Sequence, residues 1–140
     1  MKRITLDTNI LISGTFWTGV SFKILERIDQ KHDISILSKD IISEYERILQ
    51  TEEIVKKVEN KHLIFSRVVQ KVVLNSKIVI PKVKLNVVKD DPDDNCILEC
   101  AKEGNVDYII TNDRHLLHIK EFEGILIVTP ETFLSIVERG

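Results

Sequence analysis

Residues 89–113 read KDDPDDNCILECAKEGNVDYIITND, and their reading decides the fold. Four acids surround one proline at the start. Asp91 suits a helix N-cap and Pro92 the first helical position. A capping carboxylate accepts from unpaired N–H groups of the first turn, and proline has no N–H to leave unpaired. The predicted helix runs to about Lys102 and stops at Gly104. Tyr108, Ile109 and Ile110 then form a short apolar run, a predicted strand that delivers Thr111, Asn112 and Asp113 at its end. Helix, tight turn, strand and terminal acid are the parts of an α/β protein, in which ligands bind beyond the carboxyl ends of strands.

The same alternation extends along the whole chain. Residues 3–6 alternate around Ile4 and Leu6 as a strand running into Asp7. Ser21 to Ile28 is a predicted helix with Phe22, Leu25 and Ile28 along one face. Ile34 to Leu37 is a strand, and Ser38 caps a helix whose Ile41, Ile42, Tyr45, Ile48 and Leu49 repeat with helical period. Glu53 to Val58 and Leu63 to Leu74 are predicted helices, and Ile78 to Ile80 a strand stopped by Pro81. Asp113 to His118 is a turn or short helix. Ile125 to Val128 is a strand, and Thr129 and Pro130 open a last helix carrying Phe133, Leu134 and Val137. Strands alternating with helices predict an α/β fold with a parallel sheet and helices on both faces.

Bulk properties narrow the class. The 140 residues fit one domain, with 43% hydrophobic and 30% charged residues. No apolar run approaches the ~20 residues of a membrane span. Asp7 and Asn9 interrupt the apolar stretch that a secretory signal needs, so a cytoplasmic protein is expected. The net charge of −2 does not mark a protein that binds nucleic acid by bulk phosphate neutralisation. Lys56, Lys57, Lys61, Arg67 and Lys71 form one basic stretch, and Lys82, Lys84 and Lys89 another; both read first as solvated surface. Cys96 and Cys100, one helical turn apart, read as small core residues.

Four acids stand where strands end or helices present a face. Asp7 follows the first strand, with Thr8 and Asn9 beside it as groups able to hold its carboxylate. Glu44 lies at one margin of its helix's apolar face and Glu46 at the other, and periodicity does not choose between them. Asp93 and Asp94 both fall in a first helical turn, where the helix dipole favours carboxylates. Asp94 projects toward the buried side, and Asp93 remains a candidate. Asp113 ends the strand of Ile109 and Ile110, with Thr111 and Asn112 adding polar groups. Each of these acids also has an ordinary role as a cap, turn or helix-margin residue. Brought together, they repel, and a hard divalent cation with oxygen ligands, Mg²⁺ or Mn²⁺, is the natural counterweight. That chemistry points to phosphate esters.

The order of these segments resembles the PIN-domain family of metal-dependent nucleases, especially its prokaryotic VapC-like toxins. The resemblance spans essentially the whole chain. It rests on LDTNILISG, on Glu44 six residues after Ser38, on DPDDNCILECA and on DYIITNDRHLL. It implies Asp7, Glu44, Asp94 and Asp113 as the catalytic and metal-binding acids, with Thr8, Asn9, Thr111 and Asn112 supporting them. Ala101 stands seven residues after Asp94, as the family's third acid requires. The resemblance further implies an α/β/α sandwich, single-stranded RNA as substrate, homodimers and a protein antitoxin.

Other readings compete. Phe16 and Trp17 could stack on bases, but packing or a dimer contact reads more simply. His115 and His118 flank Asp113, yet a zinc site needs more ligands than these two. A phosphohydrolase of the haloacid-dehalogenase type wants an acid two residues after Asp7, where this chain has Asn9. A receiver-like phosphoacceptor wants adjacent acids at the first strand and a late lysine after a strand. A catalytically idle domain that binds a partner or nucleic acid is the remaining alternative.

Overall fold

A computed structural model describes residues 1–16, 19–51 and 70–139. Six strands form one sheet in the order β3-β2-β1-β4-β6-β5. They are β1 (Lys2–Leu6), β2 (Asp33–Ser38), β3 (Ser76–Val79), β4 (Tyr108–Ile110), β5 (Glu121–Phe122) and β6 (Ile125–Val128). Every pairing is parallel except β5 with β6. The helices are α1 (Thr8–Phe16), α2 (Val20–Asp29), α3 (Lys39–Leu49), α4 (Pro92–Gly104), α5 (Arg114–Ile119) and α6 (Pro130–Arg139). Residues 70–74 are also helical. With helices on both faces of the sheet, the fold is the expected α/β/α sandwich.

The strand order places the site. The chain winds outward from β1 through β2 to β3, then returns to β4 on the other side of β1. The crossovers therefore diverge between β1 and β4, and a crevice opens at the carboxyl ends of these two strands. Ile4 pairs with Tyr108 and Leu6 with Ile110, so the residues after Leu6 and Ile110 emerge side by side. Beneath them Ile4, Leu6, Ile36, Leu37, Ile109 and Ile110 are fully buried.

The predicted strands are all present, β4 and β6 with the expected bounds and β1, β2 and β3 with shifted ends. β2 extends back to Asp33, which is 3% exposed and held by Arg27 Nε at 2.7 Å. β3 begins two residues earlier than expected and, among the described residues, pairs with β2 alone, leaving Ile78 partly exposed as an edge residue. The apolar face of α2 is corrected. Its buried residues are Ser21, Ile24 and Ile28, whereas Phe22 is 43% exposed. A spacing of three drifts off a 3.6-residue helix, while positions 21, 24 and 28 stay on one side.

Gly104 ends its helix as expected, but not as a left-handed cap. It is the last residue of α4, and the left-handed residue is Asn105, with φ of 50°. The glycine serves packing, since a Cβ there would collide with Ile36. The expected helix over Glu53 to Val58, the start of the one over Leu63 to Leu74, and Trp17, Lys56, Lys57, Lys61 and Arg67 lie outside the described residues. Among the described residues no helix is long and apolar enough to cross a membrane.

Candidate active site

Asp7 caps α1, a helix that the sequence pattern does not predict. Its Oδ1 accepts from Asn9 N at 2.7 Å, and its carbonyl accepts from Ile10 N and Leu11 N at 3.0 and 3.2 Å. Its Oδ2 accepts from the Thr111 hydroxyl at 2.5 Å, across the gap between β1 and β4. Thr111 Oγ1 in turn accepts from Asp113 N at 2.9 Å. Asp113 caps α5, its Oδ1 accepting from His115 N at 2.8 Å and Leu116 N at 3.2 Å. The capping role and the site role are thus not alternatives for these two aspartates. The cap fixes each carboxylate at the mouth of the crevice.

Glu44 reaches the same place from α3. Thr8 Oγ1 donates to its Oε2 at 3.1 Å, and Arg47 lies 4.0 Å from Oε1 on the solvent side. Glu46 is exposed, so the fold brings in Glu44. From α4, Asp94 is 7% exposed and its backbone N donates to Asp91 Oδ1 at 3.1 Å. Asp93 is exposed, beside the others.

Asp7, Glu44, Asp94 and Asp113 line one concave site of about 190 Å³, together with Thr8, Asn9, Asp91, Asp93 and Ile97. Of the expected supporting residues, Thr8 and Thr111 hold carboxylates through their hydroxyls, and Asn9 through its backbone N–H. Asn112 is exposed and outside the lining.

The electrostatics record crowding of like charge. Burial pushes the Asp7 carboxyl above its usual range, against the bonds from Thr111 and Asn9. Glu44 is raised by burial and then by Asp93. Asp94 is pushed up to about 7, first by burial, then by the charges of Asp113 and Asp91, a hydrogen bond with Asp91, and the charge of Asp7. Its Oδ2 is buried and has no hydrogen-bond partner among the described residues. An oxygen-rich, anionic set with an unmatched buried acceptor suits a hard divalent cation. Asp7, Glu44, Asp94 and Asp113 could hold one.

Two features are not evident from the sequence alone. Asp91, expected only as a cap, also lines the site. Asn95 is 4% exposed and ties down the loop before α4. Its Oδ1 accepts from Val87 N and Val88 N at 2.9 and 3.0 Å, and its Nδ2 donates to the Val88 and Asp91 carbonyls at 2.8 and 2.9 Å. The signal in the sequence is a lone amide directly after the DDPDD run, on the side of α4 that carries Leu98.

Acids gathered at the switch point of a mostly parallel sheet make a candidate active site of the α/β class. The chain belongs to the PIN-domain family, whose model matches residues 3–115. PIN domains are generally nucleases, and the matched span contains all four acids. The fold is similar to that of PAE2754 from Pyrobaculum aerophilum, with a TM-score of 0.68 and 16% identity over 99% of this chain and 91% of that one. It is also similar to VapBC2 from Rickettsia felis, solved bound to a DNA fragment from their promoter. There the TM-score is 0.60 and the identity 15%, over 89% of this chain and 96% of that one. At such identities the likeness establishes the fold. No curated protein matches the chain by sequence.

Proposed function

We propose that this PIN domain is a divalent-metal-dependent endoribonuclease acting on single-stranded RNA, the toxin component of a toxin–antitoxin pair. The observation that carries the reading is the buried, unpartnered Asp94 Oδ2 within a site lined by Asp7, Glu44 and Asp113. Family membership supports hydrolysis of a phosphodiester, and the likeness to VapBC2 supports a protein antitoxin.

When bound, Mg²⁺ or Mn²⁺ lowers the pKa of a water and stabilises charge on the phosphate during in-line displacement. The protein's part is positioning. Thr111 and the α1 N-terminus fix both oxygens of Asp7 as ligands. Asp94, raised to about 7, must lose its proton to serve, which the cation's charge favours. Glu44 and Asp113 complete the site directly or through waters. The half-buried Glu44, anchored by Thr8, is placed to accept the attacking water's proton. An antitoxin that inserts an arginine or lysine among these acids would replace the cation's charge. The reading extends to a homodimer in the cytoplasm.

The test is cleavage of a mixed single-stranded RNA pool with Mn²⁺. Activity that EDTA abolishes and Asp94→Asn lacks supports the reading. Binding without turnover would favour the idle binding module, and release of phosphate from small monoesters instead of RNA cuts would favour another phosphohydrolase.

A further inference from the structure

Asp91, Asp94 and His115 each present one oxygen or nitrogen, and these atoms lie within 4.8 Å of one another. They come from the cap of α4, the first turn of α4 and the first turn of α5. Only Asp94 belongs to the four acids above. It is 7% exposed and its Oδ2 has no partner among the described residues, so the cluster includes a buried acceptor with unmatched lone pairs. That is independent of the clustering itself, and it calls for a ligand.

We propose that Asp91, Asp94 and His115 form a distinct cation position at the rim of the acidic site. His115 is its nitrogen ligand, and it takes a transition-metal ion such as Mn²⁺, Co²⁺ or Zn²⁺ in preference to Mg²⁺. The proposal deepens the metal-dependent reading through the shared Asp94. Magnesium holds to oxygen ligands in strict octahedra, whereas imidazole suits the later divalent ions. Asp91 Oδ1 accepts from Asp94 N, and the hydrogen bond between the Asp91 and Asp94 carboxyl groups is one that a cation would replace. The His115 side chain is 75% exposed, and its backbone N–H is committed to the Asp113 cap. Its Nδ1 lies 3.9 Å from Asp113 Oδ1, and carboxylates so placed orient metal-bound histidines. Neighbouring ligands of one such ion stand about 3–3.5 Å apart, so binding draws the exposed His115 ring in toward the two carboxylates. The structure thereby supplies the further ligands that His115 lacks in sequence.

The experiment titrates the intact protein with Mn²⁺, Co²⁺ and Mg²⁺ separately, following calorimetry and, for Mn²⁺, pulsed electron paramagnetic resonance. Wild type is expected to show nitrogen coupling at saturating Mn²⁺ and to bind Co²⁺ about tenfold or more tightly than Mg²⁺. His115→Ala should lose the coupling and about tenfold in Co²⁺ affinity, with unchanged circular dichroism. His118→Ala, one turn along the helix and outside the cluster, should retain both. Asp91→Asn keeps a capping oxygen and should weaken Co²⁺ binding. If His115→Ala keeps the coupling or the wild-type Co²⁺ affinity, the proposal is overturned and the nuclease reading stands. Mn²⁺-dependent RNA cleavage by a wild type without nitrogen coupling likewise overturns the proposal and leaves the nuclease reading intact. A wild type that binds no cation overturns both.

Discussion

The Thr111 hydroxyl donates to Asp7 Oδ2 at 2.5 Å and accepts from Asp113 N at 2.9 Å, joining the ends of β1 and β4 through a single oxygen. Both site aspartates thus depend on one fully buried threonine. Thr111→Val keeps the shape, leaves a buried carboxylate oxygen short of a donor and orphans an N–H. It should destabilise the metal-free protein by about 1–3 kcal/mol. It should also push Asp7 further above the usual carboxylate range. Urea denaturation checks the first effect and NMR titration of the carboxyl carbon the second. An unchanged midpoint would mean that water replaces the hydroxyl.

Asp7→Asn should behave differently. The amide keeps an oxygen for Asn9 N, and its NH2 faces the Thr111 hydroxyl, which turns to accept from it, while one charge leaves the cluster. RNA cleavage should be lost, and the metal-free melting temperature should hold or rise by a few degrees. Asp93→Asn is the contrast, because Asp93 is exposed and should leave most activity intact. A strongly destabilised Asp7→Asn would mean that the charge itself holds α1.

Much of this arrangement is legible in sequence, and the parts that are not have physical causes. Strands β1, β4 and β6 are short apolar runs ending at polar residues, a pattern that period and punctuation reveal. Helix α1 is different. Ile10, Leu11 and Ile12 are consecutive and all buried, so the helix has no one-sided stripe to detect. β5 has two residues, too few for any pattern. Glu44 and Glu46 occupy opposite margins of one helix, and only the packing of α3 beside Thr8 separates them. Asp91 is recognisable as a cap, but that it also faces the crevice depends on how α4 lies across the sheet.

Asn95 carries the position of the DDPDD loop. Asn95→Ala removes four hydrogen bonds to Val87, Val88 and Asp91 in a nearly buried setting. The expected cost is about 2–4 kcal/mol, with faster hydrogen exchange at Val87 and Val88. Metal affinity should fall with it, because Asp91 and Asp94 are set by the same turn. Wild-type exchange at those two amides would place the loop's anchoring elsewhere, with Glu99 the nearest alternative through Leu85 N at 2.8 Å.

The last prediction concerns pH and metal together. Asp94 sits at about 7 in the folded protein against an ordinary 3.8. Between those values the folded state holds a proton that the unfolded state has lost. Stability therefore falls as pH rises from about 4 to about 7, and levels off above it. The total is a few kcal/mol at most, with Asp7 and Glu44 adding in the same direction. Asp94→Asn should flatten this slope. Saturating Mn²⁺ should do so by another route, since a cation that binds only the folded state raises the melting temperature by mass action and displaces the proton. The metal-induced rise should be small near pH 5 and large near pH 8. Melting curves of wild type and Asp94→Asn across that range, with and without Mn²⁺, separate the two effects. A metal-induced rise that is the same at both pH values would show that Asp94 carries no proton to displace.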